Sequence, residues 1–76
     1  MDEKGFKKMI LELFQLDDDD IDMDLGWREN LISSIEITEL VVEMEKNIRD
    51  FDKERANEAI KNNATLNEIF RQSWKQ

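Results

Sequence analysis

Apolar residues recur every three or four positions in several parts of this chain, which places them on one face of an α-helix. A first helix is predicted from the stripe Phe6, Met9, Ile10, Leu13 and Phe14. A last helix is predicted from the stripe Leu66, Ile69, Phe70 and Trp74. Before it, Thr65 and Glu68 have the spacing of a capping box, in which each side chain satisfies a backbone amide at the other's position.

Two further helices are predicted between these. Asp52 should cap a short, weakly apolar one that contains Ala56, Ala59 and Ile60. The other runs from about Ser34 to Asn47. When each residue is turned by about 100° around its axis, one sector collects the expected core residues Ile37, Leu40, Val41, Met44 and Ile48.

The opposite side of this second helix is acidic, with Glu36, Glu39 and Glu43. Ile35 and Val42 are seven residues apart and fall outside the core sector, beside these glutamates. Exposed apolar residues framed by acidic ones are typical of a docking surface for a basic partner with an apolar recess. We therefore expect partner docking by Ile35, Glu36, Glu39, Val42 and Glu43.

The segment "DDDDIDMDLGWREN" has no helical period and carries six aspartates. Its alternation of apolar residues with aspartate would suit a β-strand, but no second alternating run could pair with it. We therefore interpret it as a long loop that Ile21, Met23 and Leu25, together with Trp27, attach to the core.

Composition narrows the function. The 76 residues suffice for one domain, 1–76, and they include no cysteine and no histidine. Thiol nucleophiles, cysteine-based zinc sites and the usual general base are therefore absent, which favours a non-catalytic protein. A net charge of −8 favours basic partners over nucleic acid or anionic membranes. Without a signal-like or membrane-spanning stretch, we expect a soluble, cytoplasmic and monomeric protein.

Two adjacent serines begin the second helix. Ser33 and Glu36 have capping-box spacing, so Ser33 should satisfy a backbone amide of the first turn. Ser34 is then the first helical residue, and its hydroxyl is not used for capping. A helix N-terminus also favours a phosphate group, because its free amides and the helix dipole stabilise negative charge.

The stretch "SSIEITELVVEMEKNI" resembles the acyl carrier protein family. In that family, a serine that begins the second of four helices receives phosphopantetheine from coenzyme A. Ser34 takes the place of this serine and Ile35 that of the leucine that follows it. Glu36 and Glu39 match acidic positions of the family, and Leu40, Val41 and Met44 match apolar ones. Val42 matches a position that contributes to partner docking.

The resemblance implies an all-α four-helix bundle of acyl-carrier-protein type, with a long first loop and a short third helix. It implies covalent phosphopantetheine on Ser34, attached by a phosphopantetheinyl transferase, and partners that load and process acyl or aminoacyl groups. A long acyl chain would lie between the second and third helices, where Ala56 and Ala59 would leave room. The sequence around Ser34 is more similar to D-alanyl, polyketide and nonribosomal carriers than to the carrier of fatty acid biosynthesis.

Two positions depart from the family pattern. Ser33 replaces the usual aspartate, and both residue types are strong N-caps. The sequence "NLI" replaces a stretch in which the family has a glycine, and Asn30 is expected to supply a left-handed turn there.

Other interpretations remain open. Asp18, Asp20, Asp22, Asp24 and Glu29 fall at positions one, three, five, seven and twelve of an EF-hand calcium loop. Met23, however, replaces the glycine that the sixth position needs, so we predict no dedicated metal site. Weak, nonspecific divalent binding and a solvated acidic loop are the two remaining interpretations. Ser33 is the alternative modified residue, and a helical interaction module without a prosthetic group is the alternative function.

Overall fold

The computed structural model describes residues 1–74 and contains four α-helices: α1 (Glu3–Phe14), α2 (Ser34–Asn47), α3 (Lys53–Lys61) and α4 (Leu66–Gln72). A single 3₁₀ turn, Asp18–Asp20, interrupts the long α1–α2 loop. In this part of the chain there is no β-strand, only two isolated bridges. The predicted all-α class, the number of helices and the start of α2 are thus confirmed. Within the same residues, no helix has the length and apolar character needed to cross a lipid bilayer.

Each α-helix begins at a polar residue that satisfies amides of the first turn. Asp2 accepts from the Gly5 amide at 2.8 Å, and Asp52 caps α3. Ser33 and Thr65 form the two predicted capping boxes of α2 and α4. In the second box, hydrogen bonds from the Thr65 amide and hydroxyl hold the pKa of the Glu68 carboxyl below its ordinary value, and Arg71 acts in the same direction.

The helices enclose one apolar core. α3 packs against α2 and α4, and α1 also packs against α2 and α4. The predicted core residues of α2, from Ile37 to Ile48, are all buried. Phe6 of α1 and Phe70 of α4 stack with ring centroids 4.8 Å apart, which joins the first and last helices. Phe70 also contacts Trp74, at 5.1 Å between ring centroids.

The long loop is attached to the bundle, as predicted, through buried Ile21 and Trp27 and half-buried Met23. The indole N–H of Trp27 donates to the Ile60 carbonyl at 3.2 Å, which ties the loop to α3. The assignment of Leu25 to the core is wrong, since its side chain is 40% exposed. Leu25 instead contributes its backbone carbonyl, which accepts from the Leu66 amide at the start of α4.

The last helix ends earlier than its apolar stripe suggests, so the placement of Trp74 on α4 is wrong. α4 ends at Gln72, and Ser73 is buried with its hydroxyl donating to the Phe70 carbonyl at 2.8 Å. The Ser73 carbonyl then accepts from the Asp52 amide, and Trp74 forms an isolated bridge with Phe51. Pairing with the α2–α3 connection thus replaces a further helical turn.

Candidate functional site

Ser34 is exposed at the first position of α2. Its backbone carbonyl accepts from the Thr38 hydroxyl at 2.9 Å, which ties together the first turn of the helix. Its own hydroxyl has no hydrogen-bond partner in residues 1–74. Ser34 therefore presents a primary alcohol to the solvent at the positive end of a 14-residue helix.

Ser33 performs the capping. Its hydroxyl accepts from the Glu36 amide at 3.1 Å, and the Glu36 carboxylate accepts from the Ser33 amide at 2.9 Å. Within the described chain, the amides of Ser34 and Ile35 have no backbone acceptor, as expected in a first helical turn. The prediction that Ser33 caps the helix is thus confirmed, and the Ser34 hydroxyl is not used for capping.

Two apolar side chains on α2 face the solvent, and one of them belongs to the residue that follows Ser34. Ile35 is 73% exposed and Val42 is 49% exposed, whereas Leu40, Val41 and Met44 on the same helix are buried. Both lie outside the core face, as the helical wheel predicts. Scattered exposed apolar residues are ordinary in proteins, but these two share a helix that begins with a free serine.

The three glutamates of the predicted docking surface differ from one another. Glu36 is half-buried and occupied by the capping box. Glu43 is half-buried, lies 3.7 Å from the Lys46 ammonium and contacts the Asn47 amide. Glu39 is exposed, and no salt bridge or hydrogen bond involves its side chain in residues 1–74. Of the three, Glu39 is thus best placed to meet a basic partner.

A tight turn leads into α2, and its left-handed residue is Leu31, not Asn30 as expected from the sequence. Leu31 has a φ of 61°. Asn30 acts through its side chain, which accepts from the Asp22 amide at 2.7 Å and donates to the carbonyls of Asp22 and Gly26, both at 2.9 Å. The side chain of Asn30 therefore holds the loop closed, and the next residue, Leu31, adopts the left-handed conformation.

We expect Asn30→Ala to lower the free energy of unfolding by about 1–3 kcal/mol, because backbone groups at Asp22 and Gly26 lose their partner. Urea denaturation followed by helical circular dichroism measures this. Asn62→Ala is the control: this exposed residue ends α3 through its backbone, so its replacement should change stability by at most about 0.5 kcal/mol. Equal stability of the two variants would contradict the role of Asn30.

A groove of about 230 Å³ lies between α2 and α3. Its apolar lining comes from Ile37, Val41, Val42 and Ile60, and its polar rim includes Lys53 and Asn57. Ala56 and Ala59, expected from the resemblance to leave room between these helices, are buried and do not themselves line the groove. Aliphatic side chains therefore form its apolar walls.

The acidic loop does not fold as an EF-hand. Asp18–Asp20 form a 3₁₀ turn, and the Asp22 carboxylate accepts from the Asp24 amide at 2.9 Å. Asp24 in turn accepts from the Asn67 side chain of α4. Across residues 1–74, no three acidic side chains converge in a way that could hold a metal ion. The candidate ligands Asp18, Asp20, Asp22, Asp24 and Glu29 thus line an open acidic surface.

The carboxylates of this loop are crowded and repel one another, so the stability of the fold should depend on salt. One ion pair, Lys7–Asp18 at 3.0 Å, joins the 3₁₀ turn to α1. Raising sodium chloride from roughly 0.01 M to 0.15 M shortens the screening length from about 30 Å to 8 Å. We expect Tm to rise by about 5 °C, the shift that about 1 kcal/mol produces in a small domain. Asp19→Asn should raise Tm at low salt and flatten the dependence. A Tm that falls as salt is added would refute this electrostatic reasoning.

Comparison with known proteins finds no matching family model, no similar curated protein and no similar solved structure.

Proposed function

We propose that this protein is a carrier that holds acyl or aminoacyl groups as thioesters on a phosphopantetheine arm attached to Ser34. The observation that carries the proposal is the exposed Ser34 hydroxyl, which the adjacent Ser33 leaves free by capping the helix itself. The four helices, the long first loop and the nine-residue α3 are what the resemblance of the α2 sequence to the acyl carrier protein family implies, and they support the proposal.

Attachment of the arm is a phosphoryl transfer. The Ser34 oxygen attacks the phosphorus of coenzyme A that bears the pantetheine group, and a new O–P bond forms. The bond between this phosphorus and the bridging oxygen of the pyrophosphate breaks. The nucleotide leaves as 3′,5′-ADP, which keeps that oxygen on its 5′-phosphate. A base on the transferase takes the hydroxyl proton, because no group in residues 1–74 accepts a hydrogen bond from the Ser34 hydroxyl. The transferase, with its metal ion, supplies the catalysis.

The surroundings of Ser34 suit the product. A phosphodiester on its oxygen lies beside the amides of Ser34 and Ile35, which have no backbone acceptor in residues 1–74, and in the field of the helix dipole. The two capping residues do not compete for these amides, because their hydrogen bonds join Ser33 to Glu36. The helix terminus therefore favours the charged linkage without rearrangement.

The rest of α2 suits a carrier that visits several enzymes. Ile35 and Val42 offer apolar contact, and Glu39 offers an unengaged charge to a basic surface. Such a contact is small, so it allows release after each step, while the tether raises the effective concentration of the bound group. The groove between α2 and α3 would shelter part of an aliphatic chain against Val41 and Ile60.

Incubation with coenzyme A and a phosphopantetheinyl transferase of broad carrier specificity tests the proposal. The intact mass should increase by one phosphopantetheine, and a thiol reagent should then modify the protein, which has no cysteine of its own. Omission of the transferase is the control. An unchanged mass, in a preparation that circular dichroism shows to be folded, would favour an interaction module without a prosthetic group.

A further inference from the structure

Leu31 combines two unfavourable features in one residue. Its side chain is 89% exposed, the highest value among the exposed large apolar residues of the described chain. Its φ of 61° lies in the left-handed region, where a side chain with a Cβ collides with its own backbone. The folded state therefore gains nothing from burying this leucine and is strained by it.

Hydrogen bonding within residues 1–74 does not require a leucine at this position. The Leu31 amide donates to the Arg28 carbonyl at 3.0 Å, a bond that any residue except proline can make. Burial in the turn comes from the next residue, Ile32, which is part of the core. Glycine or asparagine would adopt the same backbone conformation at lower cost. An unfavourable residue that the fold does not need indicates a role outside the chain.

We propose that Leu31 is an apolar contact residue for the phosphopantetheinyl transferase, an inference that rests on the proposed function. Leu31 precedes Ser34 by three residues, and the exposed Ile35 directly follows Ser34. An enzyme that reacts with the Ser34 oxygen itself has to cover the surface around that oxygen. Enzymes that act on the distal thiol can dock on α2 without covering the Ser34 oxygen, because the arm carries the thiol away from it.

Exposed acidic residues near Leu31 and Ile35 indicate what kind of surface the transferase would present. Glu29 precedes the turn and Glu39 lies on α2, and both are exposed. We therefore infer an apolar recess on the transferase that receives Leu31 and Ile35, with basic side chains at its edge. Burial of a leucine side chain contributes enough free energy to change specificity about tenfold or more.

The test measures the kinetics of phosphopantetheine transfer to Leu31→Asn and Leu31→Gly, with the same broad-specificity transferase and coenzyme A. We expect kcat/KM to fall about tenfold in each variant, mainly through a higher KM, because Leu31 does not touch the reacting atoms. Tm should be equal to that of the wild type or higher. Gln15→Gly is the matched control, since Gln15 is also exposed and left-handed, at φ 55°, but lies at the end of α1. Its kcat/KM should not change.

The outcomes separate the two proposals. Transfer to Leu31→Asn and Leu31→Gly at the wild-type rate would overturn the role of Leu31 and leave the carrier function intact. Absence of transfer to the wild type would overturn both. A Tm well below that of the wild type in both variants would show that the leucine supports the fold, which would also overturn the inference.

Discussion

Ser34→Ala should leave this protein fully folded and unable to accept phosphopantetheine, whereas Ser33→Ala should weaken the fold and still accept it. The difference follows from the two hydroxyls. Ser33 accepts from the Glu36 amide at 3.1 Å, while the Ser34 hydroxyl has no partner within residues 1–74. Adjacent serines on one helix start thus have separable tasks.

The magnitudes follow from the same contacts. Loss of the Ser33 cap should lower the free energy of unfolding by about 1 kcal/mol, because the Glu36 amide loses its acceptor. Loss of the exposed Ser34 hydroxyl should change it by at most about 0.5 kcal/mol. Transfer should fall below detection in Ser34→Ala, since no oxygen remains to form the phosphodiester. Intact mass after incubation with transferase and coenzyme A, together with urea denaturation of each variant, measures both effects.

A double variant closes the experiment. Ser33→Ala/Ser34→Ala should combine the lower stability with the absence of transfer. A mass increase in Ser34→Ala that disappears in the double variant would assign the modification to Ser33 and refute the proposed site. A mass increase that persists in the double variant would place the modification elsewhere in the chain.

The sequence predicts the helices of this fold well because local rules determine them. Capping residues at Ser33, Asp52 and Thr65 are predicted from residue type and local spacing, and the structure has all three. The buried face of α2 also follows from periodicity. Exposure of Ile35 and Val42 is the complement of that face, so the sequence predicts it equally well. These features depend on contacts within about one or two helical turns.

The errors occur where distant segments pair. Trp74 keeps the apolar period of α4, but the backbone around it pairs with Phe51 and Asp52, which no local pattern encodes. Leu25 alternates with aspartates like a buried residue, yet its carbonyl rather than its side chain contacts α4. Residues 75 and 76 lie outside the described part of the chain.

Leu31 is the functional candidate that sequence reasoning misses. Asparagine is the expected left-handed residue in "NLI", but the Asn30 side chain bonds to three backbone groups of the loop, at Asp22 and Gly26, within 2.9 Å. These bonds fix the turn, in which the leucine adopts the left-handed conformation. The sequence signal that could have indicated it is an apolar residue three positions before the free serine, between polar Asn30 and buried Ile32.

Phe70→Ala should have the largest effect on stability, because Phe70 joins the two ends of the bundle. Its ring stacks on Phe6 of α1 at 4.8 Å and meets Trp74 at 5.1 Å, and it is almost fully buried. Truncation of a buried phenylalanine costs about 3–5 kcal/mol. A domain of this size has roughly 4–11 kcal/mol in total. We therefore expect Tm to fall by at least about 12 °C.

Phe70→Leu is the matched variant, since it keeps most of the buried volume and removes the aromatic stack. It should cost about 1 kcal/mol. Thermal denaturation by circular dichroism compares the two, and transfer of phosphopantetheine below each Tm provides an independent measurement. Because Phe70 lies in the core and Ser34 on the surface, the folded fraction of each variant should accept the arm at the wild-type rate. Impaired transfer to fully folded Phe70→Leu would contradict this independence and would show that packing at α4 controls the start of α2.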